Sequence, residues 1–368
     1  MNELRRQFPD SQARFESAAD ALTTQQSPWP PVIISKEAID AEIDSLSRKP
    51  PAADGRRESL IVHPRALPYA PALQPGVQVR LSVLNPGEST QPYRHNATDV
   101  TFCIQGSGTA SVGGREFAFE QYDTWNTPSY TGYSRSNTGT QPQACLIYSN
   151  APLLQYMQVY LSEAVPDCAA APVERTEGAA EDPRRASPFG TFTIGEDGAM
   201  LMPYERLINP PAVESPALHW RWRTVHAELQ KLESLGSDYI GRRLYLLYNP
   251  MTGRTNGTTP SFFATITIRP PGIVDRPHRH VSAAINYYFK GRGYSSVAGN
   301  IYHWKAGDLM LSAPGWTVHN HASEDETVYE ITIQDQPLNI VMESLLWQES
   351  MKSAPALLGA QPGFVTNR

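Results

Sequence analysis

PGIVDRPHRH, residues 271–280, resembles PGESTQPYRH, residues 86–95. The offset of 185 residues between them also takes Gly106 to Gly291, Gly108 to Gly293 and Asp123 to Asp308. Beyond Asp308 the offset becomes 186, carrying Pro128 to Pro314 and Tyr133 to His319, so one residue is inserted near Ser312–Ala313. Solenoid units repeat every ~20–50 residues, so a period this long marks a duplicated domain. Both copies are rich in short strand-like runs. In the first, VQVRLSVL (77–84), DVTFCI (99–104), GTASV (108–112) and ACLIYS (144–149) alternate or are β-branched, and NPG, GSG and GG punctuate them. That texture reads as antiparallel β structure. The second block opens at RRLYLLYNP (242–250) and runs to about residue 340. We therefore expect a mainly β chain of two jelly-roll β-barrels side by side.

The remaining segments frame these copies. Residues 1–60 are polar with near-helical apolar spacing in FESAADAL and EAIDAEIDSL, separated by the breaker SPWPP, which predicts an N-terminal helical extension. The barrels are expected at 61–162 and 242–345. Between them, residues 163–241 hold an Ala-, Pro- and Glu-rich linker (163–190) and an inter-barrel helix over roughly 213–235 that ends near Gly236. A tail follows at 346–368. With 368 residues, 40% hydrophobic and 18% charged, the chain reads as globular. A net charge of −6 argues against a nucleic-acid partner. No stretch approaches the ~20 apolar residues of a membrane span. The start, MNELRRQFPDSQ, lacks the apolar core of a signal peptide. Cys103, Cys145 and Cys168 are too few for a disulfide framework. These features together predict a cytoplasmic protein.

Five of the nine histidines fall between 278 and 321: His278, His280, His303, His319 and His321. On a strand, residues i and i+2 share a face, so His278 and His280 can reach one ion. His319 lies 39 residues beyond His280, far enough for a return strand to bring a third nitrogen to the same point. Neutral imidazole suits Zn, Fe, Ni or Cu. The first copy carries Tyr93, His95, Asp99 and Tyr133 at the matching places. Two histidines have become phenols, with reference pKa ~10, so this barrel is expected to be metal-free. A weaker site from His95 and Asp99 is the alternative.

Gly272, His278, His280 and Gly291, followed by Gly307, Pro314 and His319, resemble the two cupin motifs, with Ala284 where the superfamily carries Glu. LHWRWRTV (218–225), RRLYLLYNPMTG (242–253), TPSFFA (259–264), RPHRHVSAA (276–284) and GWTVHNH (315–321) resemble, more narrowly, the bicupins of the gentisate and salicylate 1,2-dioxygenase family. That resemblance implies Fe(II) held by His278, His280 and His319, and O₂ inserted into a small hydroxylated aromatic substrate with cleavage of a ring C–C bond. It also implies a homo-oligomer, as a tetramer. The family's working metal usually sits in the first barrel, so this chain reverses the arrangement.

The same likeness suggests roles for neighbouring residues. His321 matches a histidine near substrate that serves as hydrogen-bonding or acid–base group. Phe263 matches an aromatic that lines the ring pocket. Arg242 and Arg243 stand about where an arginine contacts the substrate carboxylate, a task that suits a bidentate guanidinium. Trp316, beside the third histidine, is expected to wall the cavity. Asn286 departs from the pattern: it occupies the place of a carboxylate-clamping Arg, and an amide cannot supply that charge. The substrate then carries its acid elsewhere, is held by Arg242 or Arg243, or lacks a carboxylate. Two other readings remain open at this stage. A three-histidine site also serves a non-oxidative lyase, isomerase or hydrolase as a Lewis acid. A ligand-binding bicupin without turnover is the other. Oxygen consumption separates the first reading from both.

Overall fold

The computed structural model describes residues 17–18, 27–169, 190–204, 213–233 and 242–362. The expected helix around FESAADAL, the core of the 163–190 linker and Gly236 lie outside these residues. The chain is mainly β and folds as two jelly rolls. In the first, a six-stranded antiparallel sheet runs in the order His219–Trp220, Thr124–Thr127, Asp99–Gln105, Gln143–Ser149, Gln78–Leu84, Glu58–Ile61. Facing it is a five-stranded sheet of Ser162–Ala164, Tyr93–His95, Tyr133–Ser136, Gly108–Val112 and Arg115–Phe119. The second jelly roll repeats the plan. Its large sheet runs Val32–Ile34, Leu309–Ala313, Ala284–Lys290, Val328–Gln334, Phe263–Arg269, Arg243–Leu246. Among the described residues no helix is long and apolar enough to cross a membrane.

The repeat read in the sequence has a backbone cause at several points. Gly106 and Gly291 both have left-handed φ, 80° and 79°, which a β-carbon disfavours. Each also presses on the loop that precedes a central strand: a β-carbon would sit 2.9 Å from Pro142 O and 2.6 Å from Thr327 O respectively. The one-residue insertion is a β-bulge. Ala284 pairs with Ala313 and Ile285 with Leu311, leaving Ser312 unpaired, whereas Asp99 and Val100 pair without a break to Thr127 and Asn126.

The apolar faces of the two large sheets meet. Val79, Leu81 and Val83 of one strand, with Val100, Phe102 and Ile104 of its neighbour, share a buried cluster with Ile266, Ile268, Ile285, Tyr287 and Phe289 of the second barrel. At ~25 cal/mol per Å² of apolar surface, this interface is a main source of stability. Strand alternation then turns Arg80, Ser82, Asp99 and Thr101 into the first barrel, and Ala284, Asn286, Thr265 and Thr267 into the second.

The helical segments differ from the sequence expectation in two ways. Residues 1–60 are not only helical: the β-branched run Val32–Ile34 forms an edge strand on Leu309–Leu311 of the second barrel. The helix Lys36–Arg48 follows, N-capped by Ser35, whose hydroxyl accepts the Ala38 N–H at 3.2 Å, and buries Ile39, Ile43 and Leu46 at helical spacing. The inter-barrel helix is Trp222–Glu233 and begins later than residue 213. The preceding segment is extended and exchanges hydrogen bonds with Asn126, Leu218 N–H donating to Asn126 Oδ1 at 2.6 Å. His219–Trp220 then joins the first barrel's sheet. Thus the segment before each barrel gives its edge strand to the other barrel. The repeat-related aspartates serve this exchange: Asp308 Oδ1 accepts the Lys36 N–H and Asp123 Oδ1 the Trp222 N–H, both at 2.7 Å, each at the start of a helix.

Candidate metal centre

His278 precedes the short strand Arg279–His280 and exchanges both backbone hydrogen bonds with His319, at 3.1 and 2.9 Å. His319 opens the strand His319–Ser323. The three rings converge, with centroids 4.5 Å (278–319), 4.8 Å (280–319) and 5.7 Å (278–280) apart. One ligand atom from each lies within 4.8 Å of the others. All three rings are oriented by the same device, a backbone carbonyl two residues away. His278 Nδ1 meets Arg276 O at 3.0 Å, His280 Nδ1 meets Ser282 O at 2.8 Å and His319 Nδ1 meets Thr317 O at 2.8 Å. A carbonyl only accepts, so each Nδ1 carries the proton and each Nε2 presents a lone pair. Burial is the main cause that lowers the pKa of all three, His319 to about 3, so the rings stay neutral. Three neutral, orientated imidazoles with free Nε2 atoms are a donor set that fits a divalent transition metal.

Around this triad the predicted residues are placed unequally. His321 is buried one alternation along the strand, its ring 5.8 Å from His319 and its Nδ1 2.8 Å from Ser295 Oγ. That same oxygen accepts the Trp304 indole N–H at 2.9 Å. Arg242 faces the histidines: its charge contributes to lowering the pKa of His278, His280, His319 and His321. Its guanidinium pairs with Asp275 at 3.2 Å. Arg243 points elsewhere. It pairs with Ile268 across the strands, and directly opposed residues share a face, so it lies on the inter-barrel side. Phe263 is on the inward face, opposite Gln334, whose amide oxygen accepts from Ser282 Oγ at 3.3 Å beside His280. Asn286 is buried inside the barrel, donating to Thr332 Oγ1 at 2.8 Å and accepting from Ser312 Oγ at 2.5 Å. Trp316 sits 4.4 Å beneath the Arg279 guanidinium. Arg279 alternates between the two histidines, so Trp316 stands on the strand's outer side.

Two features carry no sequence motif. Trp347 stacks on His280 and His278, with centroids 4.6 and 5.6 Å away. Below the triad, fully buried Arg269 pairs with Glu330 (3.2 Å) and Asp275 (3.1 Å). Inward positions on strands with bulky neighbours were the available signal for Arg269; nothing marked Trp347.

The first barrel holds the matching constellation with different chemistry. His95 repeats the carbonyl device, Nδ1 on Ala97 O at 3.1 Å, but its Nε2 faces Asp99 Oδ2 at 3.2 Å. Arg80 Nη2 donates to the same oxygen at 2.6 Å. Asp99 stands where the second barrel has Ala284, and despite burial the nearby His95 and Arg80 hold its pKa down to about 2. Tyr133 replaces the third histidine, and its buried hydroxyl has no hydrogen-bond partner among the described residues. A guanidinium thus supplies the positive charge beside this carboxylate.

Comparison with known proteins matches these features. Residues 263–364 match the AraC-like ligand binding domain family. Over 312 residues the chain is 26% identical to a gentisate 1,2-dioxygenase of Haloferax sp, spanning 82% of this chain and 83% of that protein. The chain resembles the gentisate and salicylate 1,2-dioxygenase bicupins along most of its length. The bicupin is also 30% identical over 135 residues to a 5-nitrosalicylic acid 1,2-dioxygenase of Bradyrhizobium sp, covering 35% of this chain and 65% of that one. Its fold is that of the salicylate 1,2-dioxygenase of Pseudaminobacter salicylatoxidans, with a TM-score of 0.72, 18% identity and 89% and 91% of the two chains covered.

Proposed function

We propose that the bicupin is an Fe(II)-dependent dioxygenase that uses O₂ to cleave the ring of a small hydroxylated aromatic compound, and that its working centre is the C-terminal barrel. What carries the reading is the buried triad of Nε2-presenting histidines on a chain related along most of its length to gentisate dioxygenases. Bound divalent iron supplies the redox chemistry that joins O₂ to an electron-rich ring. The protein's part is to bind, orient and shield. His278, His280 and His319 hold the ion through Nε2. None of them offsets its charge, which favours an anionic substrate.

Arg242 is the cation in reach for a substrate acid group, since its partner Asp275 is also held by Arg269. Asn286 has two of its hydrogen-bonding positions spent on Thr332 and Ser312, and offers only a neutral contact. His321 is the proton-handling group. Ser295 Oγ, which also accepts the Trp304 N–H, holds the His321 ring through Nδ1. Phe263 lines the inward face. The first barrel, with Arg80 beside Asp99, is read as metal-free. The expected cytoplasmic location and homo-oligomer belong to the same reading, and light scattering measures the latter.

The test is anaerobic reconstitution with Fe(II), then an oxygen-electrode screen of gentisate, salicylate, amino- and nitrosalicylates, hydroxynaphthoates, hydroquinones and catechols. Stoichiometric uptake with one compound, lost in His278→Ala, is expected. An iron-loaded protein inert across the panel would direct the reading to the non-oxidative metalloenzyme.

A further inference from the structure

The internal repeat provides a control for the metal centre within one molecule. In the second barrel the strand Leu346–Gln348 leaves the jelly roll, returns, and pairs with Arg279–His280, placing Trp347 directly opposite His280. In the first barrel Ser162–Ala164 pairs with Tyr93–His95 in the same way, placing Ser162 opposite His95. Each lies opposite the repeat-related histidine, so Trp347 and Ser162 are structurally equivalent positions. The copy that keeps three histidines has an indole there. The copy that has lost two of them has a hydroxyl.

The indole is built in. Its plane lies 29° from the His280 ring and 15° from the His278 ring. Its N–H donates to the Glu349 carboxylate. The strand that carries it is fastened on both sides of His280. Arg279 Nε donates to Gln348 Oε1 at 2.6 Å, and Val281 N–H donates to Leu346 O at 3.1 Å. Nδ1 carbonyl bonds fix each ligand ring at one edge only; a flat ring against two imidazoles also limits their tilt.

We propose that Trp347 is a positioning residue of the metal centre, clamping the His278 and His280 imidazoles so that the bound ion is retained. The proposal rests on the reading that the triad holds a metal, and its test separates the two. The full-length protein is loaded anaerobically with Co(II), which is followed by absorbance, and release into excess chelator is timed for wild type and for Trp347→Ser, Trp347→Leu and Trp347→Phe. Partners behind metal ligands alter affinity by about 10–100-fold when removed. Release is therefore expected to speed up by about that factor in the Ser and Leu variants and to return near wild type in Phe.

Circular dichroism and thermal melting of each apoprotein accompany the rates. If Trp347→Ser does not fold, the apolar Leu variant decides. Equal release from wild type and Leu overturns the proposal, as does a Phe variant that leaks as fast as Leu. Failure of wild type to take up one Co(II) per chain overturns the metal reading itself.

Discussion

Phe102→Ala tests whether the interface between the barrels is where the stability of both resides. Phe102 is fully buried on the first barrel, yet two of its ring partners, Tyr287 at 5.9 Å and Phe289 at 5.6 Å, belong to the second. Tyr122 stacks on it from the first barrel at 6.0 Å. Truncating a buried Phe costs about 3–5 kcal/mol, and each aromatic pair contributes roughly 0.5–1.5 kcal/mol beyond burial. With these neighbours the upper half of that range, about 4–5 kcal/mol, is expected. That is a large share of the roughly 5–15 kcal/mol that holds a folded protein. Urea unfolding is followed by far-UV circular dichroism and, in the Co(II)-loaded protein, by metal release, which reports the second barrel alone. Both signals should move together to lower urea. A loss under about 1 kcal/mol would refute the packing argument. So would a split transition in which metal release keeps its wild-type midpoint.

Three further outcomes follow from the site and its surroundings. His319→Ala should abolish stoichiometric metal uptake, measured by elemental analysis, while the apoprotein melts within about 1–2 °C of wild type if the ring serves binding more than packing. Arg242→Met should raise KM for carboxylated aromatics about tenfold or more, with a smaller change in kcat, because it removes a binding charge and no ligand. Asp335 is buried, accepts the Ala283 N–H at 2.8 Å, and has its pKa raised by burial to about 6. The folded state therefore favours the protonated acid, so this group's stabilisation is present below pH ~4 and is lost as pH rises towards 6. Two pH units correspond to roughly 3 kcal/mol. Asp335→Asn, which keeps the acceptor, should flatten denaturation free energy over that window and be the more stable protein at pH 7.

The duplication was legible because its constraints are local. Gly106 and Gly291 must be glycine where a left-handed turn meets a neighbouring backbone, and the change of offset from 185 to 186 is the bulge at Ser312. The histidine triad was legible because two ligands share a strand face at a spacing of two. Direction was harder to read. RR at 242–243 alternates across an edge strand, and only the pairing of Arg243 with Ile268 tells which arginine faces the histidines. Trp316 follows the third ligand's loop in sequence but stacks under Arg279. Trp347 was out of reach because what matters about it is a pairing with a strand 67 positions earlier, and no local pattern encodes that register. Val32–Ile34 did carry a signal, a β-branched run after two prolines, which the helical texture around it obscured.

The crossed edge strands have a consequence for how the molecule comes apart. Val32–Ile34 completes the sheet of the second barrel, and His219–Trp220 that of the first, while Asp308 and Asp123 each hold the helix that follows the donated strand. Cutting the chain between the barrels therefore does not yield two independent domains. Each fragment keeps the arm its partner needs and lacks its own, so a lone fragment exposes an unpaired sheet edge and an open helix end. The two fragments are mutually dependent, and reassembly of the cut halves in solution is the behaviour this lacing dictates.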